Sequence, residues 1–108
     1  MKTLKFHPSL VDLVLEGGKT TTWRLWDDKN LSTGDEISFL DSYTKTEFAQ
    51  AVITNVKETA FAELTAEDWE GHERFSSDEE MYKSYSKHYR NKKVDKNTKV
   101  KIIKFKLK

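Results

Sequence analysis

Lys19, Thr22 and Arg24 bring an amine, a hydroxyl and a guanidinium together in one short run, Gly17-Gly18-Lys19-Thr20-Thr21-Thr22-Trp23-Arg24. A threonine hydroxyl is a weak nucleophile at neutral pH and needs a base beside it. A lysine becomes that base when desolvation or nearby positive charge lowers its pKa, and Arg24 can supply such a charge. Guanidinium and amine together can instead bind phosphate. Either chemistry makes this run the place to look for function.

Two elements must meet there to position these groups. Pro8 suits the first turn of a helix, with Ser9 and Asp12 offering further capping, and Leu10, Leu13 and Val14 share one helical face. Gly17 and Gly18 can end that helix through a left-handed cap. Threonine-rich, β-branched sequence then favours a strand from Lys19 to Trp26. Its alternation sets Thr21, Trp23 and Leu25 on one face and Thr20, Thr22, Arg24 and Trp26 on the other.

The rest of the chain follows the same reading. Leu4 to Phe6, Asp35 to Leu40, Glu47 to Val56 and Thr98 to Leu107 are expected strands, with a polar loop from Asp27 to Gly34 and a turn from Ser42 to Thr46. Thr65 opens a short acidic helix, and Ser76 or Ser77 opens a second one running to about Tyr89. In the last strand Val100 and Ile102 share one parity while Ile103, Phe105 and Leu107 share the other, so a β-bulge is expected at Ile102-Ile103. Strands and helices mixed in this order give an α+β fold, a small β-barrel with peripheral helices.

With 108 residues, 36% of them hydrophobic, the chain supports one modest core and a single domain over residues 1–108. The absence of cysteine removes thiolate catalysis, disulfides and cysteine-based zinc sites. No run approaches the roughly 20 apolar residues of a membrane span, and Met1-Lys2-Thr3-Leu4-Lys5 does not open a signal peptide, so a cytoplasmic protein without membrane association is expected. His7, His72 and His88 are scattered along the sequence; no metal site and no cofactor is expected. A net charge of +1 hides an asymmetry: residues 90–108 hold nine Lys or Arg against Asp95 alone, whereas the preceding residues hold ten bases and seventeen acids. The basic tail can attract nucleic acid, or simply guard an edge strand.

Gly17, Lys19, Thr22 and Arg24 fit the pattern G-x-K-x-x-T-x-R. With the amphipathic helix before it, Gly34-Asp35 opening the next strand, Glu70-Gly71 after an acidic helix and a lysine-studded final strand, the chain resembles the ASCH domain. That module is a small β-barrel similar to the PUA domain of RNA-modifying proteins. Many such domains are described as RNA-binding modules. Small stand-alone members include amidohydrolases that remove the acyl group from N4-acetylcytidine with a lysine, a threonine and a glutamate. The resemblance therefore implies Lys19 as base, Thr22 as nucleophile and Glu70 as the acid that handles the cytosine amine, with Glu73 as the alternative. Arg24, Trp26, Phe39 and Tyr43 are candidate substrate contacts, Trp26 by sharing a face with Thr22 and Arg24.

Two functions remain: a metal-free amidohydrolase acting on an acylated cytidine nucleoside, and an RNA-binding module using the same corner with the basic final strand. Nine acids lie between Glu58 and Glu80, where Arg74 is the only base. If Glu70 lines the pocket, that neighbourhood repels polyphosphate but not an uncharged nucleoside, which favours the enzyme.

Overall fold

Local sequence rules carry the chain into its first corner. The computed structural model describes all 108 residues. Strand β1 (Lys2–Phe6) buries Leu4 and Phe6, and Pro8 then starts helix α1 (Pro8–Leu15). The cap of α1 is His7 rather than Ser9 or Asp12: its ring Nδ1 accepts from the Ser9 amide at 3.1 Å. The helix ends as the glycine pair predicts. Gly18 N donates to Leu13 O at 3.0 Å and Gly17 N to Val14 O at 3.2 Å, with Gly17 at φ +83°, a Schellman turn that only glycine enters cheaply.

Strand β2 (Thr21–Arg24) is shorter than the expected Lys19–Trp26, because Trp26 adopts a left-handed φ of 48° and leaves the ladder. Strands β3 (Glu36–Asp41) and β4 (Glu47–Ala60) form a long hairpin, and β4 outruns its expected end at Val56. A 3₁₀ turn (Phe61–Glu63) leads to helix α2 (Ala66–Trp69), opened by a capping box between Thr65 and Asp68. Helix α3 (Asp78–His88) carries acids in its first turn and Lys87 and His88 in its last, which suits its dipole. Strand β5 (Lys99–Leu107) closes the chain.

The five strands form one sheet in the order β1-β3-β4-β5-β2. β1 runs parallel to β3, and every other neighbour is antiparallel. The sheet curls into a half-barrel with helices around it. Its edge strands β1 and β2 share no ladder; a side chain links them instead. The Arg24 guanidinium donates to the Lys5 carbonyl at 3.0 Å and sits over the Phe6 ring at 4.9 Å.

Two hydrophobic cores lie against this sheet. One gathers Phe6, Val14, Ile37, Phe39, Ile53, Ile103 and Phe105 inside the barrel, with Phe39 centred 4.7 Å from Phe6 and 4.8 Å from Phe105. The other packs Trp23, Leu25, Val100 and Ile102 against Phe61 and against Met81 and Tyr85 of α3. Each aromatic pair adds roughly 0.5–1.5 kcal/mol beyond its buried area.

Those two cores account for the double apolar step in β5. Ile102 serves the α3 side and Ile103 the barrel side, so neither faces water. No bulge sits at Ile102-Ile103. The irregularity lies on the partner strand, where Ile53 pairs with Phe105 and Asn55 with Lys104, leaving Thr54 as the extra residue.

Candidate active site

The Schellman turn delivers Lys19 to the mouth of the barrel, and the side chain goes inward. Lys19 is only 1% exposed. Its Nζ donates to the Thr21 carbonyl at 2.9 Å and to Glu73 Oε2 at 2.6 Å. Burial lowers the pKa of this amine below the ordinary lysine value; Glu73 opposes the shift and the Arg24 charge adds to it. The result is a lysine whose pKa lies below the ordinary value and whose Nζ is held in place by a carboxylate.

A second set of bonds fixes Glu73 opposite Lys19. The segment after α2 is sewn to β2: Thr21 Oγ1 donates to Glu70 O at 2.6 Å, and Trp23 Nε1 to Asp68 O at 3.2 Å. The amides of Thr20 and Thr21 share Gly71 O at 2.9 and 3.1 Å. Gly71 has φ +75°, and a Cβ there would lie 2.0 Å from Thr20 Oγ1. Glycine at 71 is thus required both by conformation and by the closeness of the two strands of chain.

His72 supports the carboxylate from behind. Its ring stacks on Trp23 with centroids 3.9 Å apart, Nδ1 lies 2.8 Å from Glu73 O, and Nε2 lies 3.2 Å from the Tyr85 hydroxyl. Burial, with the Lys19 charge nearby, pushes the His72 pKa down to about 4, so the ring is neutral at physiological pH. A neutral ring with this geometry donates from Nδ1 to the carbonyl and accepts at Nε2 from the tyrosine, whose own pKa burial raises. Its 3.5 Å approach to Glu73 Oε1 is therefore no ion pair. For Glu73 itself burial acts upward, but the Lys19 charge and hydrogen bond outweigh it and hold the carboxylate below its usual pKa.

These groups border a cleft of about 660 Å³. Lys19, Thr22, Trp23 and Arg24 come from the corner and β2, and Glu73 and Phe75 from the segment before α3. β1 and the start of α1 add Lys5, Phe6, His7 and Ser9, while α3 adds Tyr85, Lys87 and His88. Thr22 is buried yet borders this space, and Arg24 Nε is the one buried polar side-chain atom without a hydrogen-bond partner. Thr22 lines the same cleft as this amine and carboxylate without a hydrogen bond to either, and a threonine hydroxyl brought to such a base can attack a carbonyl and pass its proton to it.

The sequence-based candidates separate clearly. Lys19, Thr22, Arg24, Glu73 and Tyr43 all border the cleft, Tyr43 as a 73% exposed ring at its mouth with its hydroxyl 3.2 Å from His7 Nε2. Glu70 does not: its side chain is exposed, and only its carbonyl faces the corner. Phe39 is 1% exposed within the barrel core and reaches no cleft. Trp26, turned away by its left-handed backbone, borders a second depression that shares Arg24 with the cleft and is otherwise lined by residues such as Asp27, Asp28 and Lys101, and Lys92 covers its ring. The histidines that looked scattered in sequence gather here, His7 and His88 at the cleft and His72 behind Glu73. No group of three or more His, Cys, Asp or Glu side chains is placed to hold a metal ion. No helix is long and apolar enough to cross a membrane.

No family model matches the sequence, and no curated protein matches it. Solved structures do. An ASCH domain from Lactobacillus crispatus superposes with a TM-score of 0.71 at 15% identity, over 98% of this chain and 79% of that one. Protein EF3133 from Enterococcus faecalis, described as DUF984, gives 0.75 at 18% identity over 92% and 69%. The hypothetical protein PH0355 gives 0.68 at 23% identity over the full length of both. The ASCH-like α+β fold expected from the sequence is the fold of this chain.

Proposed function

We propose that this ASCH-like half-barrel is a small amidohydrolase that removes the acyl group from N4-acylated cytidine. The observation that carries the reading is the Lys19 amine, 1% exposed and 2.6 Å from Glu73, in the cleft that Thr22 borders. A lysine kept only for solubility would not be buried.

In this reading Thr22 Oγ attacks the acyl carbonyl while its proton moves to Lys19 Nζ. The carbon–nitrogen bond breaks, the acyl group stays on Thr22 as an ester, and the Lys19 proton passes to the departing N4 amine. Water then hydrolyses the ester, returning the threonine hydroxyl. Glu73 takes the role that the resemblance gave to Glu70: it orients Lys19 and accepts a hydrogen bond from the cytosine amine. Arg24, with its free Nε, is the donor at hand for the developing oxyanion.

The RNA-binding alternative leans on the final strand, whose lysines are partly engaged within the protein. Lys101 pairs with Asp27 at 2.7 Å, Lys104 donates to Glu67 O at 3.0 Å, and Lys108 pairs with Glu36 at 2.5 Å.

Purified protein incubated with N4-acetylcytidine should release cytidine and acetate. Thr22→Val, which keeps shape and removes the hydroxyl, should lower kcat by about 100-fold or more. Thr22→Ser should retain measurable turnover. Unaltered N4-acetylcytidine, or a fully active Thr22→Val protein, would remove this reading.

A further inference from the structure

The charge lining the cleft differs from that of the sequence segment which supplies its acid. Of the nine acids between Glu58 and Glu80, only Glu73 borders the cleft, and Lys19 already engages it. Asp68 is turned into a pair with Lys57 at 3.0 Å, and Glu58 faces the second depression beside Trp26. Against that one carboxylate the cleft holds four cations, Lys5, Lys19, Arg24 and Lys87. Lys5, Arg24 and Lys87 make no ion pair. The repulsion of phosphate expected from the acidic run therefore does not apply to this site.

Position divides these groups by task. Lys19 and Thr22 are buried, whereas Lys5 and Lys87 are exposed and come from different elements, β1 and α3. Arg24 lies between, half-buried, with its Nε unpartnered. The His88 imidazole lies at the same opening, where both nitrogens of His7 are engaged by Ser9 and Tyr43. A ligand with its acyl-cytosine end inside and a dianion at the opening matches this gradient. Two ammoniums and a guanidinium lining one cleft raise the local concentration of anions and can bind phosphate through charge-assisted hydrogen bonds.

We propose that the cleft takes its substrate as a nucleoside monophosphate, N4-acylated cytidine carrying a terminal phosphate held by Lys5, Arg24 and Lys87, rather than as the free nucleoside. This rests on the deacylation reading for its chemistry but not for its phosphate subsite. A volume of about 660 Å³ suits one nucleotide.

Two measurements on the intact protein keep the two ideas apart. The first compares kcat/KM for N4-acetylcytidine and its 5′-monophosphate at low and high salt. The nucleotide should be favoured about tenfold or more at low salt, and the preference should shrink as salt rises. Lys5→Ala and Lys87→Ala should each cut the preference several-fold, while Lys106→Ala, exposed on β5, should leave it in place. Equal kcat/KM for the two compounds, or a preference indifferent to Lys5 and Lys87, would overturn the proposal. The second measures calorimetric binding of the products, cytidine monophosphate against cytidine, with no turnover required. If neither acylated compound is hydrolysed yet the monophosphate binds more tightly through Lys5 and Lys87, the phosphate subsite stands and the deacylation reading fails. A short RNA that outcompetes the monophosphate with a steeper salt dependence would overturn it in favour of a polynucleotide site.

Discussion

Lys19 and Glu73, 54 residues apart in sequence, meet with Nζ 2.6 Å from Oε2, the lysine sealed from water and the glutamate side chain 28% exposed. The pair couples the corner after α1 to the segment before α3, so it is structural and chemical at once. Cutting it from either side should show both effects. Glu73→Gln leaves a buried amine facing a neutral amide, and Lys19→Met leaves a carboxylate that water still reaches. Removing one partner of a fully buried pair costs about 3–5 kcal/mol, and partial exposure here should bring the loss nearer 2. Glu73→Gln should be the more destabilising of the two in urea denaturation. Turnover should fall about 100-fold or more in Lys19→Met, and the double variant should lose little beyond that, because the residues act as a unit. Fully additive rate losses would contradict a shared role.

The pH dependence of the rate should identify Lys19 as the base. Its amine must be free to accept the Thr22 proton, so kcat/KM should rise with pH, with a midpoint below the ordinary lysine value. Glu73 holds the ammonium and raises that midpoint, whereas Arg24 lowers it. Glu73→Gln should therefore shift the rising limb to lower pH, and Arg24→Met should shift it to higher pH. Opposite shifts are the useful signature, since mere loss of structure moves neither limb in a defined direction. A limb that stays fixed in both variants would assign the titration to another group.

Gly71 tests whether the backbone seam between β2 and the Glu70–Glu73 segment positions the carboxylate. A Cβ at 71 meets Thr20 Oγ1 at 2.0 Å and the Thr20 amide nitrogen at 3.2 Å, in a backbone region that L-residues rarely adopt. Gly71→Ala should cost about 2 kcal/mol or more and lower kcat although Gly71 touches no substrate. Gly17→Ala is the control: its φ is +83°, but nothing lies within 4 Å of the added methyl, so only about 1 kcal/mol should be lost. Thr20→Ala placed with Gly71→Ala should recover part of the difference by removing the hydroxyl. No recovery would mean that backbone strain and the contacts with the Thr20 amide and Cβ, not the hydroxyl, set the cost.

Reading by alternation and capping succeeded where a local rule decides the outcome. Pro8, Gly17 and Gly18 bound α1, and the β2 parity placed Trp23 and Leu25 together in one core. It failed where tertiary context decides. Phe39 and Trp26 are both aromatic strand-end candidates, but one faces the barrel interior and the other leaves through a positive φ that no motif announces. The choice between Glu70 and Glu73 rests on hydrogen bonds to β2 that turn the Glu70 side chain outward, and sequence spacing carries no record of them. His72 was invisible as a support for the site because its partners, Trp23 and Tyr85, lie on distant elements. One signal was available: it sits between the only Gly of that segment and Glu73, so its own backbone had to follow the same seam.

His72 also gives the fold a pH dependence whose direction follows from its burial. In the unfolded chain the ring titrates near 6.5, whereas in the fold it stays neutral down to about 4. Between those values the unfolded chain binds the proton and the folded chain does not, so the stability contributed by neutral His72 is complete above pH 6.5 and drains away as the pH falls towards 4. Over the first stretch, from pH 6.5 to about 5, the loss should approach 2 kcal/mol at about 1.4 kcal/mol per pH unit. Glu73, held below its usual pKa, contributes little there; His88, also lowered by burial, adds a smaller slope of the same sign. His72→Phe keeps an aromatic ring against Trp23 but removes the titrating group and leaves Tyr85 without its acceptor. The variant should be less stable than wild type at pH 7, yet nearly flat from pH 6.5 to 5, so the two curves converge on acidification. Urea denaturation at several pH values measures this directly. Parallel curves would mean that His72 titrates in the fold as it does in the unfolded chain, and the neutral ring assigned to it below pH 6.5 would be wrong.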